Sequence, residues 1–259
     1  MMRYERWALL ASPTAPAQAA ARALADATDW VDPQQADAII ALGGDGYMLQ
    51  VLHRMLDRRK PAVPVFGMNL GTVGFLMNEW RQHGIEERLA RAKPFQVTPL
   101  VTTVTGADGR VHQLSAINEV SLLRETRQTA KLEVTVNERV VMAELACDGI
   151  LVATPAGSTA YNLSAQGPIL PLGSNLLALT PISPFRPRRW RGAILTDKAR
   201  ITIRVLDPGK RPVSAVADQH EVRDIASLSI GMDRSRELTL LFDPEHALDD
   251  RITMEQFIG

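Results

Sequence analysis

The run from Ala36 to Arg59, centred on Gly43-Gly44-Asp45-Gly46, constrains this chain more than any other stretch. Ahead of the centre, Ala36-Asp37-Ala38-Ile39-Ile40-Ala41-Leu42 is short and apolar and reads as a buried strand. After it, Met48, Leu49, Leu52, Met55 and Leu56 fall on one face of a helix. Strand, glycine turn and helix, in that order, aim backbone N–H groups and a positive helix end at whatever lies over the turn. That arrangement favours phosphate. Asp45 stands in the middle of the turn, where a carboxylate repels phosphate and so needs a reason. One reason is a proton acceptor, or a ligand on the metal side, beside a phosphoryl group in transfer. The plainer alternative is a tight turn that Asp tolerates. The placement between strand and helix favours the first.

The 259 residues suffice for one large domain or two modest ones, and an apolar share of 46% supports a packed core. The formal net charge of zero gives no global field for nucleic acid or an anionic membrane. A single cysteine, Cys147, excludes an internal disulfide and a thiolate zinc cage, which fits a reducing compartment. The five histidines have no ligand spacing, so no protein metal site is expected. At the N-terminus Arg3, Arg6 and the apolar Trp7 to Ala11 resemble a signal peptide, but Glu5 interrupts the basic region and the apolar run is short. The reading is strand, loop and helix in a cytoplasmic, unprocessed chain. No segment approaches the roughly 18 apolar residues of a membrane span.

In chain order, 4–11 reads as a strand, 15–27 as an Ala-rich helix, 36–42 as a strand, 47–59 as a helix and 61–67 as a strand. Alternating elements predict a parallel sheet with helices on its faces. Ligands of such sheets bind beyond the carboxyl ends of the strands. Both Gly43 to Gly46 and the second glycine turn, Gly67 to Leu76, fall at such ends. A solvated helix over 79–92 closes this half. From Phe95 the texture changes to alternation with hairpin turns at Gly106 to Gly109 and at Asn137-Glu138. Strands are predicted at 97–105, 110–117, 132–136, 139–145, 200–206, 212–217, 227–230 and 237–242. The expected fold is thus an α/β domain over 1–96 with a mostly parallel sheet. An antiparallel, sandwich-like β domain follows over 97–259, its last residues free to pack back on the first domain. The cleft between the halves is the expected ligand site.

Two polar spots interrupt the β half. Asn118-Glu119 ends an apolar alternation. Such side chains can hydrogen-bond ribose hydroxyls or a base edge, although the pair read alone fits a surface turn better. The stretch Cys147 to Gly167 is denser. A strand ends at Thr154-Pro155, and a small-residue turn and a short Thr/Ser-capped helix follow. Tyr161 offers a ring for stacking and Asp148 a buried acceptor. Small residues here allow the backbone close to a flat or charged ligand.

Gly43-Gly44-Asp45-Gly46, Gly71-Thr72-Val73-Gly74-Phe75, Asn118-Glu119 and Asp148 through Gly167, in that order, resemble the NAD kinase family, in its bacterial, ATP-dependent form. The glycine-Asp turn is shared with diacylglycerol, sphingosine and 6-phosphofructo-type kinases. Thr159-Ala160-Tyr161-Asn162-Leu163-Ser164 joined to Asn118-Glu119 narrows the likeness. The resemblance implies transfer of a phosphoryl group from ATP to the 2′-hydroxyl of the adenosine ribose of NAD, with Mg²⁺ entering with ATP. It implies a homodimer or homotetramer. It gives Asp45 the part of proton acceptor, and Gly43, Gly44 and Gly46 the phosphate turn. NAD contacts would come from Asp45, Gly46, Phe75, Asn118, Glu119, Asp148, Ala156 and Thr159 through Ser164.

Val73 departs from the Leu common in the family. Arg186, Arg188, Arg189 and Arg191 fit a solvated turn or subunit contact better than a phosphate contact. Asp218 and His220 lie where the resemblance assigns no roles. A lipid or sugar kinase of the same superfold, and a dinucleotide sensor without catalysis, are the competing readings. The first would work without NAD, and the second has no use for Asp45. A dehydrogenase would want a G-x-G-x-x-G turn, which is absent. On the catalytic reading, Asp45→Asn is expected to keep shape and stability while losing proton-accepting capacity.

Overall fold

Every residue of Ala38–Gly43 is buried, as a central strand covered on both faces requires. The computed structural model describes residues 4–26, 28–57, 62–72 and 74–244. Ala27, Arg59, Pro61, Val73 and the chain beyond residue 244 lie outside the described residues, so expectations resting on them are not addressed.

The chain forms two compact units, one holding the chain up to Val97 and again from Arg236, the other Thr98–Ser235. The first contains β1 (Trp7–Ala11), α1 (Ala15–Ala23), β2 (Ala38–Gly43), α2 (Asp45–Leu56), β3 (Val65–Asn69), β4 (Asn78–Glu79), α3 (Ile85–Arg91), β5 (Lys93–Val97) and the late strand β18 (Leu238–Phe242). Its sheet runs β1-β2-β3-β18-β5, with β4 also on β3. All pairs are parallel except β18 with β5. Helix α2 packs on β2, β3 and β18 through the stripe read from the sequence: Met48, Leu49, Leu52, Met55 and Leu56 are all buried, with Val51 beside them. Ala17, Ala20, Leu24, Ile85 and Leu89 from α1, its C-terminal flank and α3 join Ile40, Leu42, Phe66 and Met68 in a second cluster. Asn78, fully buried, ties this sheet together: its Nδ2 donates to the carbonyls of Gly67 and Leu241 at 3.0 and 2.9 Å. Its Oδ1 accepts from Asp243 N–H at 2.8 Å.

The second unit holds β6 (Leu100–Gly106), β7 (Val111–Ala116), β8 (Glu119–Arg124), β9 (Ala130–Val136), β10 (Arg139–Cys147), β11 (Gly149–Ala153), a 3₁₀ turn (Ala156–Thr159), α4 (Tyr161–Ser164), β12 (Leu176–Ile182), β13 (Ala193–Thr196), β14 (Ile201–Val205), β15 (Val213–Ala217), β16 (His220–Val222) and β17 (Ile225–Met232). Two six-stranded antiparallel sheets, ordered β10-β9-β14-β17-β6-β7 and β13-β12-β11-β8-β15-β16, share one core. Leu122, Ile150 and Ala215 from one sheet meet Leu132, Val134, Ile203 and Ile230 from the other, all fully buried. The alternation that predicted these strands is this core seen in sequence, and each large member contributes about 1.5–3 kcal/mol.

Several expectations need correction. Helix α2 starts at Asp45 rather than after Gly46, with Gly44 in an extended conformation as its N-cap. A carboxylate is favoured in that first turn by the helix dipole. The helix over 79–92 shrinks to Ile85–Arg91, since 78–79 joins the sheet and Gly84 in the left-handed region starts the helix. Strand 237–242, placed with the sandwich strands in the chain-order reading, packs back into the first unit's sheet, as the allowance for the last residues left open. Strand β12, which contains Pro181, was not among the predicted strands. The proline sits past the end of the β13 pairing, which stops at Leu179, so its missing N–H leaves no gap in that ladder. The 3₁₀ turn and α4 lack side-chain caps at their flanking residues, Pro155 and Ala160. Thr154 instead accepts the Gly157 N–H on its Oγ1 at 3.0 Å.

Candidate active site

In the first unit, parallel pairing of β2 with β3 puts both glycine turns at the same sheet edge. Leu70 N–H reaches the Gly43 carbonyl at 2.6 Å, and a Cβ on Gly71 would lie 3.3 Å from Gly44 Cα. Asp45, half-buried, turns its carboxylate to the second turn. Oδ2 accepts the N–H groups of Gly74 and Phe75 at 3.1 and 2.9 Å, and Oδ1 that of Leu76 at 2.9 Å. Gly74 is at φ +107°, and a Cβ there would strike the Asn69 side chain at 2.5 Å, so only glycine lets the loop present three N–H groups in a row. Asp45 is therefore a clasp as well as a candidate base. A carboxylate offers about four lone-pair sites, and three are taken. Gly46 is exposed in the first helical turn, and Phe75 is half-buried at the clasped loop.

In the second unit the turn Ile117-Asn118-Glu119 has every backbone group engaged. The Asp218 carboxylate accepts the N–H groups of Ile117, Asn118 and Glu119 at 2.6, 3.0 and 3.3 Å. The Ile117 carbonyl accepts from Thr154 Oγ1 at 2.8 Å, the Asn118 carbonyl from Thr154 N–H at 2.9 Å, and the Glu119 carbonyl from Asp218 N–H at 3.1 Å. Gly157 packs directly on this turn, where a Cβ would come within 2.2 Å of the Asn118 carbonyl oxygen. The side chains contrast with the backbone. Among the described residues, Asn118 Oδ1 and Glu119 Oε2 are buried without a hydrogen-bond partner. Burial first, and the neighbouring Asp218 charge second, push the Glu119 carboxyl up to about 8.

Tyr161 is half-buried, and its hydroxyl pKa is raised by burial and then by the charges of Glu119 and Asp148. Asp148 is not the buried acceptor expected. Its side chain is 39% exposed and is paired with Arg124 Nε at 2.5 Å. The Asn162 side chain is engaged within the fold. It is fully buried, donates to the carbonyls of Ser158 and Pro168 at 3.2 and 2.8 Å, and accepts from Thr180 Oγ1 at 2.7 Å. It braces the loop that Ala160, Tyr161, Leu163 and Ser164 present, with Ala160, Tyr161 and Leu163 half-buried and Ser164 exposed. Ala156 and Thr159 are both 8% exposed. Asp218, Thr154 and Arg124 were not anticipated in these parts. Asp218 lies about a hundred residues from the amides it holds, and only its place in a turn after a predicted strand marked it.

A parallel α/β unit with a glycine-Asp turn at a helix N-terminus, in one chain with an antiparallel sandwich carrying a polar turn, defines a kinase-type class. The comparisons take this to a family. The profile described as ATP-NAD kinase N-terminal domain matches residues 9–91, and that described as ATP-NAD kinase C-terminal domain matches residues 117–240. A protein named NAD kinase from Rhizorhabdus wittichii is 65% identical over 256 residues, covering 99% of both chains. One from Zymomonas mobilis is 62% identical over the same share. Among solved structures, yeast NADH kinase complexed with NADH superposes with a TM-score of 0.81 at 20% identity, covering 99% of this chain and 88% of that one. An Archaeoglobus fulgidus NAD kinase in complex with ATP gives 0.76 at 23% identity, covering 98% and 100%. These two share the fold. The chain belongs to the NAD kinase family.

Proposed function

We propose that this protein transfers the γ-phosphoryl group of ATP to the 2′-hydroxyl of the adenosine ribose of NAD, giving NADP. The observation that carries the reading is the pair of buried, unpartnered oxygens, Asn118 Oδ1 and Glu119 Oε2, on a turn whose backbone is fully satisfied. Buried polar atoms left unpaired are unfavourable. Ribose hydroxyls and the exocyclic amine of adenine supply the donors they lack. Tyr161 would add a half-buried ring for the base or the nicotinamide.

Phosphoryl transfer through a loose transition state asks chiefly for positioning and charge stabilisation. The N-terminus of α2 and the amides of Gly43, Gly44 and Gly46 would serve the phosphates. Asp45 would accept the hydroxyl proton on its remaining lone pair. A strong base is not needed, because that proton leaves late. Phe75, whose N–H Asp45 holds, would pack on the base. Ala156, Thr159, Ala160, Leu163 and Ser164 would line the NAD, with Asn162 bracing them and Asp148 at the rim. A divalent cation, Mg²⁺, would arrive as part of the ATP substrate and neutralise charge on its phosphates. Among the described residues, no group of three or more His, Cys, Asp or Glu could hold a metal ion, and no helix is long and apolar enough to cross a membrane. Cytoplasmic location and assembly into a homodimer or homotetramer belong to the same proposal, the assembly being open to sedimentation analysis.

The test is incubation with ATP, Mg²⁺ and NAD, the product being read by an NADP-dependent dehydrogenase. NADP formation is expected. Phosphorylation of a diacylglycerol or a sugar phosphate, with none of NAD, would overturn the proposal.

A further inference from the structure

The Asp218 carboxylate accepts an N–H from each of the three residues of the Ile117–Glu119 turn, yet the reaction as described gives it no part. It sits in the two-residue connection between β15 and β16, at φ +50°, a conformation Asp and Asn tolerate better than other side chains. Strand β15 pairs with β8, so this connection lies against the start of β8, where Glu119 begins the strand. Three consecutive N–H groups converge on the two oxygens of Asp218. With Thr154 holding the carbonyl side, the turn has no backbone freedom left, and the two side chains it carries are the ones whose oxygens lack partners.

We propose that Asp218 is a positioning residue for nucleotide binding, acting through the backbone of Ile117–Glu119 to aim Asn118 and Glu119 at the ligand. The inference rests on the reading of Asn118 and Glu119 as nucleotide contacts. Its physical content is a fixed turn. Three charge-assisted bonds from one carboxylate remove the rotation that would let the two side chains find internal partners. It also has an electrostatic signature. Glu119 stands beside Asp218 of the β15–β16 connection, whose charge is the second cause of its raised pKa after burial. Removing the Asp218 charge lowers the pKa of Glu119.

The experiment uses the full chain with ATP, Mg²⁺ and NAD. Asp218→Asn keeps the backbone conformation but opposes an amide NH₂ to at least one of the three N–H groups. The NAD KM is expected to rise about tenfold or more, with kcat and the ATP KM within about threefold, because misplacement of a binding group by a fraction of an ångström is felt at that level. The pH profile of kcat/KM for NAD, which reports groups of the free enzyme, is expected to bend near pH 8 in the wild type, and the bend should move acidward in the variant. A merely structural lesion would lower the whole profile with the bend in place, and that result overturns the inference. Asp218→Ser, which keeps one acceptor oxygen, is the second variant. Whichever gives a native near-ultraviolet spectrum decides. Asn118→Ala separates the two levels. If it leaves the NAD KM unchanged, the nucleotide reading of the turn falls and the inference with it. If it raises KM while the Asp218 variants do not, only the inference falls.

Discussion

Asp45 and Asp218 do the same thing in the two units, each collecting three consecutive backbone N–H groups on one carboxylate, and they differ in what surrounds that carboxylate. Asp45 sits in the first turn of α2, where the helix end adds to the attraction, and it grips a glycine-containing loop some thirty residues on. Asp218 grips a turn without glycine about a hundred residues back, and it stands beside a second carboxyl group, Glu119. The same clasp is thus built once with charge relief and once with like-charge tension. Where like charges meet, the neighbour is pushed toward its neutral form.

The largest effect expected is at Asp45. If this carboxylate is the proton acceptor, Asp45→Asn lowers kcat by at least about a hundredfold, since general-base contributions run to about 10²–10⁴. The clasp adds a consequence that the sequence did not suggest. An Asn at this position sets an NH₂ against the N–H of Leu76, or against those of Gly74 and Phe75. Stability should therefore fall by roughly 1–3 kcal/mol instead of holding level. A thermal melt run beside the kinetics checks both. A variant as stable as wild type would mean the three bonds contribute nothing net, and one turning over at more than about a tenth of the wild-type rate would remove Asp45 from the chemistry.

Next in size is Asn118. Its Oδ1 is buried and unpartnered among the described residues, so truncation removes nothing the folded chain uses and only what a ligand would use. Asn118→Ala should raise the NAD KM more than tenfold, on the order of 1–3 kcal/mol of lost binding, and leave the melting temperature nearly unchanged. A large loss of stability with unaltered KM would make the turn structural and end the contrast between satisfied backbone and unsatisfied side chains.

The two clasps also show why half of this site was readable and half was not. The Asp45 turn is local: strand, Gly43-Gly44, helix stripe and the second glycine turn are contiguous enough for periodicity and glycine chemistry to place them. The sandwich was legible for the same reason, because alternation is a direct image of a one-sided strand. The partners were not legible. Nothing in the segment around Asp218 says that its carboxylate reaches Ile117, and nothing in Thr159 to Ser164 says that Asn162 turns inward to Thr180 while Ser164 stays exposed. Strand β18 was legible as a strand, but the sheet it joins was not. Its pattern is that of any strand, and its membership of the first sheet depends on pairing with β3 and β5 across the length of the chain.

The smallest effect, and the one that probes the like-charge side directly, is the pH dependence of stability at Glu119. Its carboxyl is raised from 4.5 to about 8 in the folded chain, by burial first and Asp218 second. Between those two values the folded state holds a proton that the unfolded state has released, so stability falls as pH rises through this window. Below the unfolded value the contribution is fully present, and above about 8 it is fully lost because an ionised carboxylate is then buried next to Asp218. Glu119→Gln is neutral throughout and keeps an oxygen in place, so it carries no such slope. The stability difference between Glu119→Gln and wild type should be small at pH 5, grow in favour of the variant toward pH 8, and level off beyond it. Partial exposure and relaxation of the turn hold the full excursion to roughly 1–2 kcal/mol. Urea titrations at half-unit pH steps read it. A flat difference across the window would mean that Glu119 is ionised at neutral pH, and the two aspartate clasps would then differ in location but not in electrostatics.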